Sequence, residues 1–252
     1  MNIVLVAVIL FVVLVGAALL GRRVHLYLPE AHLSTDSRDS VKLAMGLVAT
    51  MTALVLGLLV SSAKEGYDTK RSEVIRMAAK VAFLDRVLAL YGPEAAEARS
   101  DLRTAVTDAV RRIWATDQTR PAQLAPNPQV GDALYLGVQR LSPHDDAQRT
   151  LKTQVTTLLV DLGELRSLLV AQSIPSISKP MLIILVSWLV VIFFGFSMIA
   201  PPNATTTLAL VASAFSVAGA MFLILELDHP FGGGLMRIPS EPLVNLLNQL
   251  PK

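Results

Sequence analysis

Four long apolar runs, with one long mixed segment between the second and third, set the hydropathy pattern of this 252-residue chain. They are Ile3–Leu20, Leu43–Val60, Met181–Ala200 and Leu208–Leu225, and none contains Asp, Glu, Lys or Arg. At about 1.5 Å rise per residue, about eighteen residues of helix nearly cross a ~30 Å hydrocarbon core. Hydrocarbon offers no hydrogen-bond partner to the backbone, so each run is predicted to be helical. The pattern predicts an all-α, polytopic membrane protein: four transmembrane helices with a cytosolic helical bundle between helices 2 and 3. The expected segments are a first transmembrane hairpin over 1–63 (helices about 3–20 and 43–63), a cytosolic helical domain over 64–179, a second hairpin over 180–227 (helices about 181–200 and 208–226) and a tail over 228–252.

The second run is the informative one. Small residues recur every fourth position at Ala49, Ala53, Gly57 and Ser61, with Gly46 and Thr50 beside them. Helices in lipid gain little from apolarity and must gain from close packing, which small residues allow. Two readings follow: the stripe packs on another helix of its own subunit, or it meets copies of itself around an axis and lines a pore. Asp36 is expected to cap this helix, with Asp39 three residues on as a capping-box-like partner. No proline intervenes before Pro93, so the helix is expected to continue out of the membrane. The first run has no Lys or Arg before it and Arg22 and Arg23 after it, which reads as an uncleaved transmembrane helix rather than a secretory signal.

In the mixed segment Gly92-Pro93 interrupts the long helix, and Pro93 suits a first turn. Leu102, Val106, Ala109 and Ile113 then share one helical face. Gln118–Val130, with Pro121, Pro126 and Pro128, reads as a loop. Ser142-Pro143 is expected to open a helix in which Leu151, Val155, Leu158, Leu162, Leu165 and Leu169 repeat at heptad spacing. That seam is either a core face of the bundle or a subunit interface. Pro175 and Pro180 are expected to end it. Beyond the polar turn Pro201–Thr207, Ala212, Ser216 and Ala220 offer a second close-packing stripe.

Composition agrees with a membrane protein: 53% hydrophobic, mean hydropathy +0.54, and 17% charged residues against about 25% in soluble domains. A net charge of +2 gives no case for nucleic acid. Cysteine is absent, which excludes disulfides, thiolate metal sites and a cysteine nucleophile. Lys64, Lys70, Arg71, Arg76, Lys80 and Lys179 flank the mixed segment, and the turn between runs three and four has no basic residue. The positive-inside rule then places both termini and residues 64–179 in the cytoplasm, although Arg22, Arg23, Arg38 and Lys42 fall on the other side.

Catalytic motifs are missing, so no enzyme is expected. His25 and His32 lack the spacing of metal ligands and read as interfacial loop residues; no metal or other cofactor is expected. Gly232–Gly234 lacks the strand and the Lys of a phosphate loop. Glu226 and Asp228 close the fourth run, where the default reading is an interfacial cap reaching headgroup water. The charge-free spans argue against an ion-coupled transporter and permit a channel gated by an apolar constriction, where dewetting is the barrier.

Two motifs resemble the bestrophin family. The stretch SSAKEGYDTKRSEV is similar to the family's signature at the end of its second membrane helix, through Tyr67, Asp68, Arg71 and Glu73. The tail LELDHPFGGGLMRIPSEPL resembles the segment after the last bestrophin membrane helix, through Glu226, Asp228, Pro230, Phe231 and Gly232, with Pro242 and Leu243 further on. The order of helices also fits, and the chain most resembles bacterial bestrophin-like membrane proteins of unassigned function. Bestrophins are pentameric anion channels. The resemblance therefore implies a homo-oligomer, a pentamer as first guess, in the bacterial inner membrane, with the lipid bilayer and small anions such as chloride as partners. Its second helix would line the pore through Gly46, Thr50, Leu54, Gly57 and Ser61. Gly233 and Gly234 stand where calcium-regulated members place acids, so calcium gating is not carried over. The alternative is a non-conducting membrane scaffold or sensor whose cytosolic bundle binds a partner through the heptad seam.

Overall fold

The computed structural model describes residues 2–27, 29, 35–114, 123–125, 127–172, 178–201, 203–232 and 234–250. Among the described residues eight α-helices follow one another: α1 (Ile3–Tyr27), α2 (Thr35–Tyr91), α3 (Ala96–Ile113), α4 (Pro128–Arg140), α5 (Asp146–Ala171), α6 (Lys179–Ile199), α7 (Ala204–Asp228) and α8 (Glu241–Gln249). No strand occurs among the described residues. Helices α1, α2, α6 and α7 are long and apolar enough to cross a membrane. The chain divides into two compact units, Met1–Gly66 with Ser176–Asp228, and Tyr67–Pro175 with His229–Lys252.

In the first unit α1 packs along α6 and α7. The shared core is Leu10, Leu14 and Ala17 of α1, Leu59 and Ala63 of α2, Leu185, Leu189 and Phe193 of α6, and Ala214, Met221, Ile224 and Leu225 of α7. Glycine permits close approach at two points. A Cβ at Gly21 would strike the carbonyl oxygen of Phe194, and one at Gly195 would sit 2.5 Å from the Met45 sulfur. Polar side chains find partners inside the unit: Ser197 donates to the Ala18 carbonyl, and Arg22 donates to the Thr207 hydroxyl at 3.0 Å.

The second unit is a helical bundle around Val74, Val81, Leu84, Leu88 and Tyr91 of α2, Leu102, Val106 and Ile113 of α3, Val138 of α4, and Val155, Leu158 and Leu169 of α5. Gly92 breaks the helical run between α2 and a 3₁₀ turn over Pro93–Ala95, at φ +122° and ψ −173°, a conformation open essentially to glycine. Arg99 grips Asp85 through two hydrogen bonds of 2.8 and 3.0 Å. That pairing raises the Arg99 pKa above the ordinary arginine value, against the effect of burial. The tail closes the unit: Trp114 Nε1 donates to the Ile238 carbonyl at 2.8 Å, and Arg103 donates to the Leu250 and Leu247 carbonyls at 2.7 and 3.3 Å.

Several local expectations need correction. Helix α2 begins at Thr35, so Asp36 lies in its first turn rather than at its cap, and Asp39 pairs with Lys42 at 2.9 Å. Pro128 opens α4, a helix the loop reading missed. Three prolines within ten residues suggested continuous loop, but proline is at home in a first helical turn. Helix α5 starts after Asp145, whose carboxylate accepts from the Gln148 amide, and not at Ser142-Pro143. Pro180 lies in the first turn of α6 instead of terminating α5. The turn before α7 is shorter than expected, because Asn203 Oδ1 accepts from the amide of Thr206 and draws Ala204–Thr207 into the helix. Within the chain, the packed stripe of α7 is Ala214, Ala218, Met221 and Leu225; Ala212 and Ser216 are exposed.

Candidate functional site

The candidate site is the outward face of the first part of α2. Helical periodicity of about 3.6 residues divides this part into two faces. Thr52, Leu59 and Ala63 are buried, with Val55 and Leu56 partly buried beside them, and Met45 reaches Gly195 of α6. Gly46, Thr50, Leu54, Gly57 and Ser61, spaced four, four, three and four residues apart, fall on another face. Thr50, Leu54, Gly57 and Ser61 are exposed, and Gly46 is partly so. A Cβ added at Gly46 or Gly57 would meet no atom within 4 Å. The chain's own helices therefore leave this face open.

Its chemistry is neutral and low in profile. From Leu43 to Ala63 no charged side chain occurs. Thr50 spends its hydroxyl hydrogen on the Gly46 carbonyl at 2.9 Å, so its oxygen lone pairs are what faces outward. Leu54 is the bulkiest of the five, 65% exposed. The contrast with α1 is informative. Its outward residues are Val4, Leu5, Val8, Ile9, Val12 and Leu19, bulky aliphatics suited to acyl chains. The outward face of α2 alternates leucines with Gly, Ala, Ser and Thr, the residues that let helices approach closely.

The motif residues do different work. Tyr67 packs on the core of the second unit, and Asp68 and Arg71 are exposed. Glu73 is buried and accepts from Gln172 Nε2 at 2.9 Å. In the tail Pro230 is buried, and Phe231 meets Trp114 edge-on with ring centroids 6.2 Å apart. The Pro230 carbonyl accepts from the Ile238 amide, and the exposed Gly232 donates its amide to the His229 carbonyl, each at 3.0 Å. These residues fold the tail back on itself and against α3. Glu226 and Asp228 are buried, at 5% and 6% exposure, so the reading of a cap open to headgroup water is corrected. His25 Nδ1 lies 2.7 Å from the Met198 carbonyl, a structural contact; His32 and Gly233 lie outside the described residues. No group of metal-ligating side chains occurs among the described residues.

Trp114 escaped the sequence reading, since nothing in its surroundings marked it as the anchor of a tail more than a hundred residues away. The buried face of α2 also escaped it, although Thr52, Leu59 and Ala63 lie at helical spacing.

Residues 4–243 match the bestrophin-like domain. The chain belongs to the bestrophin-like family. No curated protein sequence matches it. In structure it is similar to crystal structures of a bacterial bestrophin homologue from Klebsiella pneumoniae. Against a tryptophan-to-alanine mutant of that protein the TM-score is 0.72 at 15% identity, over 99% of this chain and 96% of the other. Against a leucine-to-threonine mutant it is 0.70 at 15% identity, over 97% and 96%. A likeness at this identity establishes the fold: four membrane-crossing helices with a helical bundle between the second and third.

Proposed function

We propose that this bestrophin-like protein is an oligomeric ion channel, selective for small anions such as chloride, in the bacterial inner membrane. A ring of identical subunits, with five as the first expectation, would place the outward face of α2 on its axis. Gly46, Thr50, Leu54, Gly57 and Ser61 would line the pore, and both termini and residues 64–179 would lie in the cytoplasm.

The observation that carries this reading is the open, uncharged and low-relief face of α2. A face left bare by its own chain needs a partner, and small residues favour another helix over lipid. Without fixed charge, such a neck would control passage by wetting, with Leu54 as the narrowest apolar ring. Selectivity would then come from the neck's field and hydration rather than from a bound counter-ion.

The scaffold reading loses its main support. Its partner surface was the heptad seam of α5, and all six seam residues lie in or against the core of their own unit.

Chloride flux into liposomes containing the purified oligomer tests the proposal. Flux well above that of empty vesicles is expected; a pure oligomer without it would overturn the channel.

A further inference from the structure

The second unit holds a cavity of about 250 Å³ among α2, α3, α4 and α5. Its walls are mainly aliphatic, with Val81, Leu102, Val106, Leu134 and Leu162 among them, and Arg166 of α5 also lines it. The cation is incompletely served. Its Nε is buried with no hydrogen-bond partner among the described residues, and its Nη2 donates to the Ala125 carbonyl only at a long 3.5 Å. Asp108 also lines the cavity but shares its charge with Arg112, 4.0 Å away. Among the described residues, two guanidiniums and one carboxylate leave the cluster one positive charge in excess. Burial, and after it the Arg112 charge, pull the Arg166 pKa below the ordinary arginine value, with Asp108 opposing them. The arginine thus sits where a further anion would relieve it.

We propose that this cavity binds an alkyl carboxylate, with its chain among the α2, α3 and α5 side chains and its carboxylate on Arg166. Size limits the class. With the ~30 Å³ share of one water as yardstick, the cavity holds roughly eight to ten non-hydrogen atoms, a chain about the length of hexanoate or octanoate. An arginine offers a carboxylate a planar, charge-assisted fork that an alcohol cannot use as well. The anion also balances the excess charge, which a neutral ligand of equal length would leave in place.

The test is calorimetric titration of octanoate into the full chain in lipid nanodiscs, with empty nanodiscs subtracted for partition into lipid. Saturable binding is expected with octanoate and at least about tenfold weaker binding with octanol, the loss of one charged hydrogen bond. Arg166→Gln should weaken octanoate by a similar factor and leave octanol unchanged. Gly131 and Gly163 line the cavity, and a Cβ at either meets nothing within 4 Å. Gly163→Leu is therefore expected to fold and to abolish binding of both ligands. Octanol binding as tightly as octanoate, octanoate indifferent to Arg166→Gln, or no saturable binding would each overturn the proposal.

Discussion

At the residue scale, Leu54 and Thr50 carry the sharpest consequences. If Leu54 is the apolar ring that dewets the neck, Leu54→Ala should raise chloride flux several-fold, and Thr50→Phe should lower it to near background. Both are read by quenching of a chloride-sensitive dye inside proteoliposomes. Gly92 makes a different demand. Its backbone is nearly closed to residues with a Cβ, so Gly92→Ala should destabilise the second unit by about 1–3 kcal/mol. The fall in thermal midpoint, followed by circular dichroism, checks it. Gly92 could be read in advance as a break, because Gly-Pro after a long helical pattern is a local signal. Gly21 could not. Its need for glycine comes from the Phe194 carbonyl, which is distant in sequence.

At the element scale, α2 is the longest of the described helices. Its 57 residues extend about 85 Å at 1.5 Å each, far more than a ~30 Å hydrocarbon core. Its continuity was legible, since no proline interrupts it. So were the four membrane helices and the buried face of α3, because hydropathy and 3.6-residue periodicity act within one element. The start of α5 and the existence of α4 were not legible. Capping by Asp145 and the opening of a helix by Pro128 each compete with an equally plausible turn. Nor could hydropathy decide which stripe of α7 is packed, as alanines lie on both faces and α1 is the helix that packs along α7. The tail is the second element with a testable role. Trp114→Phe keeps a ring edge-on to Phe231 but removes the Nε1 bond to Ile238, worth about 1 kcal/mol. The tail should then be cut faster by limited proteolysis after Arg237, with the rest of the chain intact.

At the scale of the whole molecule, the first unit presents two apolar surfaces of different character. The bulky one on α1 suits lipid. The one on α2, with Leu43, Leu47, Leu54 and Leu58 between half and four-fifths exposed, is left uncovered by the chain itself. Leucines left in water forgo about 1.5–3 kcal/mol each, so this face requires cover. Copies of the chain would provide that cover and leave a hole on the axis; acyl chains would provide it and leave none. Gly46, Thr50, Gly57 and Ser61 stand out in the sequence as small residues, but what meets them is a property of the assembly and is not encoded in any local spacing. The absence of cysteine from the chain makes the question directly accessible. Single cysteines at Thr50, Leu54 and Gly57, with one at Val8 on α1 as control, can be treated with a negatively charged methanethiosulfonate reagent while chloride flux is recorded. The account predicts that the three α2 positions react from water and that flux falls as they do, while the α1 position stays inert. Unreactive α2 positions, or reaction without change in flux, would contradict it.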